Sequence, residues 1–528
     1  MIVTAKASTL GEQMARYVLS HRRAGKFHET EKRASRAAAE RSFLLFESSA
    51  DVVSRLAPSS ETAREVIVFE ADPAEVFAKV ALMPEDSLLE PEILHYPATT
   101  LPVDLARAAA VSAPGEAVAG TGTKFRVTVR GASAPLHHAD VNLFLRGAGN
   151  RQTSLTRATG ADGKALFTFT GAWTPAALVV VPAGDHWSMV VRGPVDGVTV
   201  TCPPLPETGR LAWWHQVLGL SAPAHDSGAG VTVGVIDTGV GPHRDLEHVA
   251  AAGAFIDGAH DDSAAAGHDV DAHGSHVCGT IAARPPAASG RPGGIAPEVT
   301  LVCARVFPGP RAGANQGDIA NAIDHLSNVR DADLLNLSLG APRASEIEHD
   351  AIIDAAERGT LCVCAAANSA GPVEFPAAFP ESVAVSALGL EGWGPPGSLA
   401  SIRLPEDPAR FGNDNLYLAN FSCFGPEIDC AAPGVGIIAT VPERFGLEAP
   451  YAAMDGTSMA SPAACGLLAA VLSASPDYLD LPRDLTRTDK ARQLLRQVSR
   501  DIGLAARFQG RGVPSGANLV EQKPDCDL

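Results

Sequence analysis

At 528 residues, the chain is too long for one ordinary domain and has room for a large core plus accessory modules. Hydrophobic residues make up 46% of it and charged ones 19%, which fits a folded chain with buried parallel strands and excludes a disordered or fibrous one. A formal charge of -18, from 42 Lys and Arg against 60 Asp and Glu, argues against nucleic acid as a partner.

The first residues mix charge with isolated apolar side chains and never build the apolar stretch of a secretory signal. No segment is long and apolar enough to span a bilayer, so no membrane partner is expected. The nine cysteines are an odd set, and Cys278, Cys303, Cys362, Cys364 and Cys465 sit in apolar or small-residue runs that read as reduced core thiols. The expected location is cytoplasmic, with secretion as the alternative.

Residues 1–40 read as a helical arm rich in Ala, Arg and Glu. Over 41–97 follow an apolar run at 42–46, a short helical stretch at 50–56, a strand at 65–70, a helix opened by Asp72-Pro73 and a strand signal in LLEPEILHYP. That order suggests a small α+β unit. From 115 to 203 the runs KFRVTVRG, ADVNLFLRG, SLTRATGADGKALFTFTG and AALVVVPAG alternate in polarity between turn residues, which predicts a β-sandwich with a hairpin at Ala161-Asp162-Gly163. Over 208–522, apolar strands such as VTVGVID, TLVCARV and GTLCVCAAAN alternate with helical patterns such as GDIANAIDHLSNV. This is the pattern of an α/β fold with a doubly wound parallel sheet, where reactive groups gather at the carboxyl ends of strands.

Asp237 follows the strand VTVGVI directly, His273 opens HGSHVCGTIAA, and Ser458 opens the apolar helix of DGTSMASPAACGLLAA, with Gly456 permitting a close backbone approach. Each alone reads as plainly structural: a turn aspartate, an ordinary histidine, a helix cap. Together the words VIDTGVGPHRDL, HGSHVCGT, LLNLSLG, AAANSAG and GTSMASPAACG, in the order Asp, His, Asn, Ser, resemble the subtilase family of subtilisin-like serine proteases over about residues 230–520.

The resemblance implies a subtilisin-like sheet and a serine endopeptidase that acts on proteins or peptides through an acyl-enzyme. Ser458 would be the nucleophile, His273 its base, and Asp237 the group that orients the imidazole. Asn368 and the Ser458 backbone N–H would form the oxyanion hole. Ser338, Leu339 and Gly340 match the family's substrate-pairing strand. Ala366, within 365–367, would stand on the opposite wall of an apolar first subsite.

The 41–97 unit occupies the place of an inhibitory propeptide in many subtilases; if the enzyme matures by self-cleavage, the exposed linkers 98–118 and 203–229 are the candidate sites, and whether it does so stays open. The 115–203 module resembles carboxypeptidase regulatory-like or immunoglobulin-like domains and would bind a partner or act as a spacer. Phe375-Pro376 falls where the family tends to place a cis proline. Asp245 resembles a calcium-binding aspartate of many subtilases, but no Asp/Asn-rich loop accompanies it, so no cofactor is expected and a structural calcium stays open. Cys278 reads as a buried, inert thiol below the site. A metal site from His273, His276 and Cys278 is disfavoured, because HGSHVC lacks the HExxH spacing. The alternative function is an inactive scaffold with the same fold that binds a partner without proteolysis, against which the four intact catalytic positions argue.

Overall fold

A computed structural model describes residues 14–21, 42–46, 50–55, 66–83, 87–98, 122–221 and 227–517. Strands β1 (Ala15–His21), β2 (Asp51–Arg55), β3 (Ile67–Ala71) and β4 (Ser87–Pro91) form an antiparallel sheet in the order β2-β3-β1-β4. Helix α1 (Pro73–Val80) is opened by the Asp72 carboxylate, which accepts from the Ala74 N–H at 2.8 Å. Side chains alternate across the sheet. Tyr17, Leu19, Ile67 and Phe69 face Phe43, Phe46 and Val76 in a small core of their own. Val18, Val66, Val68 and Leu88 instead join a core of the large α/β unit.

Two expectations are corrected here. Residues 15–21 are a strand and not part of a helical arm, because Tyr17, Val18 and Leu19 each find an apolar partner surface only when successive side chains point to opposite faces. The Ala- and Arg-rich remainder of that arm, at 22–41, lies outside the described residues. The stretch at 50–56 is also a strand over Asp51–Arg55, pairing at the sheet edge through Val52 against Phe69.

The next strand, β5 (Leu94–Pro97), leaves this sheet for the α/β unit. Strands β6 (Thr123–Arg130), β7 (Asp140–Gly147), β8 (Gln152–Ala158), β9 (Lys164–Phe169), β10 (Trp173–Val181), β11 (Met189–Arg192) and β12 (Val198–Thr201) then build two sheets, β11-β10-β7-β8 and β12-β6-β9. Phe125, Val127 and Phe167 of one sheet share a core with Val141, Leu143 and Leu178 of the other. The turn at Ala161-Asp162-Gly163 is not a hairpin. It carries the chain from β8 across to β9 in the opposite sheet, since the local turn signal says nothing about which sheet the next strand joins. Trp187 packs edge-on against Trp393 at 5.6 Å, and Asp185 pairs with Arg291, which seats this module on the α/β unit.

The large sheet consists of β13 (Thr232–Asp237), β14 (Ala250–Ile256), β15 (Ala259–Asp261), β16 (Thr300–Arg305), β18 (Leu334–Leu337), β20 (Leu361–Ala365), β21 (Val383–Leu390), β22 (Leu416–Leu418) and β23 (Ile428–Pro433). Two short strands, β17 (Ala314–Asn315) and β19 (Leu339–Gly340), stand outside it. Its order is β15-β14-β16-β13-β18-β20-β21-β22, with β23 beside β21, and every pair is parallel except those of β15 and β22. Helices α2 (His273–Ala282), α5 (Thr457–Ser473) and α6 (Leu485–Val498) pack on one face with Val233 and Val235. Helices α3 (Gln316–Asn328) and α4 (Glu346–Glu357) pack on the other with Ile236 and Leu335. Helices on both faces make the sheet doubly wound, and the switch at β13 opens a crevice at the strands' carboxyl ends.

Candidate active site

Asp237 is the last residue of β13, and its Oδ1 accepts from the Thr238 N–H at 2.7 Å and from His273 Nδ1 at 2.6 Å. The loop between them is fixed by a buried carboxylate. Asp269 accepts from the backbone N–H groups of Asp271, Ala272 and Ser275 at 2.9, 3.0 and 2.8 Å, and from the hydroxyls of Ser275 and Thr238 at 2.6 and 2.8 Å. Burial pushes its carboxyl above the usual range even against these donors. The clamp holds Ala272 at φ 145° immediately before His273, a conformation that side chains disfavour and that persists only when its surroundings enforce it. A Cβ on Gly274 would lie 2.1 Å from the Gly239 carbonyl oxygen, so the histidine helix can approach β13 this closely only with glycine there. Burial alone would lower the His273 pKa, but the Asp237 charge and hydrogen bond outweigh it and hold the imidazole above its ordinary value. His273 Nε2 has no hydrogen-bond partner among the described residues.

Ser458 is the second residue of α5, where backbone N–H groups have no partner within the helix. Its N–H donates to the Ala98 carbonyl oxygen at 3.1 Å. Its Oγ donates to the Ser338 carbonyl oxygen at 2.9 Å, so the hydroxyl is turned toward Ser338 and not toward His273. Four residues later Pro462 lacks the N–H that would have bonded the Ser458 carbonyl. That carbonyl accepts from Ser338 Oγ at 2.9 Å instead. Ser338 Oγ in turn accepts from Asn336 Nδ2 at 2.9 Å, and Ser461 Oγ donates to Asn336 Oδ1 at 2.8 Å. The Ser458 helix and the strand beside it are thereby locked by a chain of buried side chains.

Asn368 follows β20 and Ala367, which is held at φ 80°. Its Oδ1 accepts from both the N–H and the hydroxyl of Thr457 at 3.0 Å, which fixes the amide so that Nδ2 donates to the Ala98 carbonyl oxygen. Ala98 N–H donates to the Ser338 carbonyl at 3.1 Å. Strand β5 runs as the middle strand between β17 and β19, with His95 opposite Ala314, Tyr96 opposite Gly340 and Pro97 opposite Leu339.

Asn368, Ser458, Ser338, Leu339 and Gly340 are thus brought together around residues 96–98, while Asp237 and His273 pair with each other on β13 and on the helix packed against that of Ser458. Ala366 is set further back: its N–H donates to the Val385 carbonyl and its own carbonyl accepts from Glu374 N–H, so it supports the wall from within. Ala98, Asn336, Thr457, Ser461 and Asp269 were missed in the sequence. An asparagine inside the apolar run LLNLSL, which must find a buried partner, was the readable signal for Asn336.

The Subtilase family model, of peptidase S8, matches residues 228–512. The chain belongs to the subtilase family. It is 31% identical to Subtilisin Savinase of Lederbergia lenta over 253 residues, 48% of this chain and 80% of the relative. It is 30% identical to the Major intracellular serine protease of Bacillus subtilis (strain 168) over 295 residues, 54% of this chain and 81% of the relative. The match to M-protease of Shouchella clausii (strain KSM-K16), 31% identical, takes in 56% of that protein's length.

In this subtilase His276 bonds the Ile437 and Ala452 carbonyls through Nε2 at 2.9 and 3.1 Å, and burial lowers its pKa to about 4. It braces the histidine helix. Cys278 is fully buried beside Cys303, whose thiol is pushed well above its ordinary value first by that contact and then by burial. Asp245 is occupied by the Tyr451 hydroxyl at 2.8 Å and by Arg244 at 3.5 Å. Among the described residues no group of three or more His, Cys, Asp or Glu side chains is placed to hold a metal, and no helix is long and apolar enough to cross a membrane. Phe375-Pro376 is cis.

Proposed function

We propose that this chain is a serine endopeptidase made together with its own inhibitor, which it cuts away after Ala98. The observation that carries this reading is the Ala98 carbonyl oxygen, held by the Ser458 N–H and the Asn368 amide while Ala98 N–H donates to Ser338. A peptide carbonyl so placed is where the tetrahedral oxyanion of acyl transfer develops.

In the reaction the Ser458 hydroxyl turns from the Ser338 carbonyl to His273 Nε2, gives up its proton there and attacks the Ala98 carbonyl carbon. Asp237 stabilises the imidazolium through Nδ1. The oxyanion takes both donors and the favourable end of the α5 dipole. Collapse breaks the Ala98–Thr99 bond, the amine of Thr99 takes the proton from His273, and water then releases the acyl group from Ser458 by the same steps reversed.

The unit ending at Ala98 acts as the inhibitory prodomain. Its Glu90 carboxylate accepts from Ser345 Oγ at 2.6 Å and from Glu346 N–H at 2.7 Å, capping α4 of the protease from outside. Because the cut precedes residue 122, the two-sheet module stays with the protease as an accessory β-sandwich, free to meet a protein partner. Proteins and peptides are the substrates. The first subsite takes a small side chain such as that of Ala98, the residue held at the cut. Among the described residues eight buried cysteines form no disulfide, which supports action in a reducing compartment. The inactive-scaffold alternative is not favoured, because nothing in the donor set is missing.

The test is a fluorophosphonate probe on the full chain, alongside Ser458→Ala and amino-terminal sequencing over time. Labelling confined to the wild type, with a fragment beginning at Thr99, is the expected result. A chain that never labels and never shortens would sink the proposal, and a fragment beginning elsewhere would move the cut.

A further inference from the structure

Three residues before Ala98 lies His95, whose side chain has no exposed surface while its neighbours Leu94 and Tyr96 are 38% and 50% exposed. The alternation means that His95 points into the wall of the cleft. What it meets there is a charge. His95 Nε2 lies 3.1 Å from Glu348 Oε2, and neither side chain is exposed. The other side of the His95 ring meets the backbone at Ile93 and Ala314, whereas Glu348 Oε1 has no hydrogen-bond partner among the described residues.

Glu348 is the third residue of α4, and Ser345 caps that helix by accepting the Glu348 N–H at 3.2 Å. In a Ser-x-x-Glu start the glutamate ordinarily turns back to the cap's own N–H. Here one carboxylate oxygen faces His95 of the strand in the cleft, and the other makes no hydrogen bond among the described residues. The neighbours of the pair are buried: Ala314 stands opposite His95, and the thiols of Cys362 and Cys364 lie close enough to Glu348 to feel its charge. A carboxylate in such surroundings demands a cation or a donor opposite it.

We propose that Glu348 makes this subsite acidic, so that the enzyme selects protein and peptide segments carrying His or Lys three residues before the cleaved residue. The proposal rests on the reading of residues 94–98 as bound in the manner of substrate. His95 is then the prodomain's use of a pocket that substrates share. Burial by itself would lower its pKa, but the Glu348 charge and hydrogen bond raise it above the ordinary value, consistent with a cation held there.

Quenched octapeptides of sequence Leu-Xaa-Tyr-Pro-Ala-Thr-Thr-Leu, with Xaa as His, Lys, Leu or Glu, supply the test on full-length protein after its own cleavage. The expected result is a kcat/KM for His and Lys at least tenfold above that for Leu and Glu, carried mainly by KM. Glu348→Gln brings the Lys-to-Leu ratio near one. Equal cleavage of all four by the wild type overturns the proposal without any variant, as does an unchanged ratio in a Glu348→Gln protein that still takes the fluorophosphonate label. Failure of every peptide together with failure to label overturns the protease reading beneath it instead.

Discussion

Asn368 uses both ends of its amide, and the ends have unequal consequences. The carbonyl end is fixed by Thr457 and the amino end is left for the Ala98 oxygen. Asn368→Ala removes a donor that works hardest when the oxygen becomes an anion, so kcat should fall about 10²–10³-fold with KM little changed. Steady-state kinetics on one peptide would decide it; an equal loss in KM would mean that the donor serves binding alone. In the reaction proposed above, His273 as the base sets the acid limb of the rate profile. The base must be neutral, its pKa is raised by Asp237 over the lowering effect of burial, and activity is therefore lost as pH falls through a value above about 6.5. A pH profile of kcat/KM with its acid limb clearly lower would contradict that. Asp237, His273, Asn368 and Ser458 were legible because each sits in a short word whose neighbours constrain it. Ala98 was not, because its partner Asn368 lies 270 residues away and the sequence around it is an ordinary linker.

At the scale of elements, the contact between α5 and the β18-β19 segment rests on a vacancy in helix bonding. Pro462 frees the Ser458 carbonyl, and Ser338 fills the place. Ser338→Ala leaves that buried carbonyl without its donor and Asn336 without an acceptor, a loss of about 1–3 kcal/mol that should lower the Tm in thermal unfolding of the full chain. An unchanged Tm would show that water takes over. The parallel strands of the large sheet were legible as continuous apolar runs bounded by glycine and polar residues, and so was the two-faced packing. β1 and β2 were not: they are short, lie within charged sequence, and owe their conformation to pairing with β3 and to the surface of α3. The Asp162 turn was legible as a turn, whereas its crossing between sheets depends on where β9 pairs, with β6 more than thirty residues back.

For the molecule as a whole, the grip of the β2-β3-β1-β4 sheet, proposed above as that of a prodomain, depends on one absent side chain. A Cβ on Gly317 would lie 2.7 Å from Val66 Cγ1 and 2.8 Å from Val18 Cγ1, so the sheet seats directly on the start of α3. Gly317→Val should loosen that seat by about 1–3 kcal/mol, roughly ten- to a hundredfold in affinity. Full-length protein carrying it should become active toward peptides sooner after self-cleavage, with the final rate per labelled site unchanged. A delay equal to the wild type would place the grip in β5 and Glu90 alone.

Strand β5 is bonded along both of its sides, to β17 on one and to β19 on the other. When it departs it leaves a trench with a row of unsatisfied backbone groups on each bank, one strand wide. Whatever enters must therefore be extended and have no partner on either side for about four residues. A segment already committed to a helix or to the middle of a sheet cannot comply, whatever its side chains. A protease of the kind proposed above thus reads the folding state of its target before it reads the sequence, and a protein becomes its substrate when a loop or an unfolded stretch exposes both of its backbone edges.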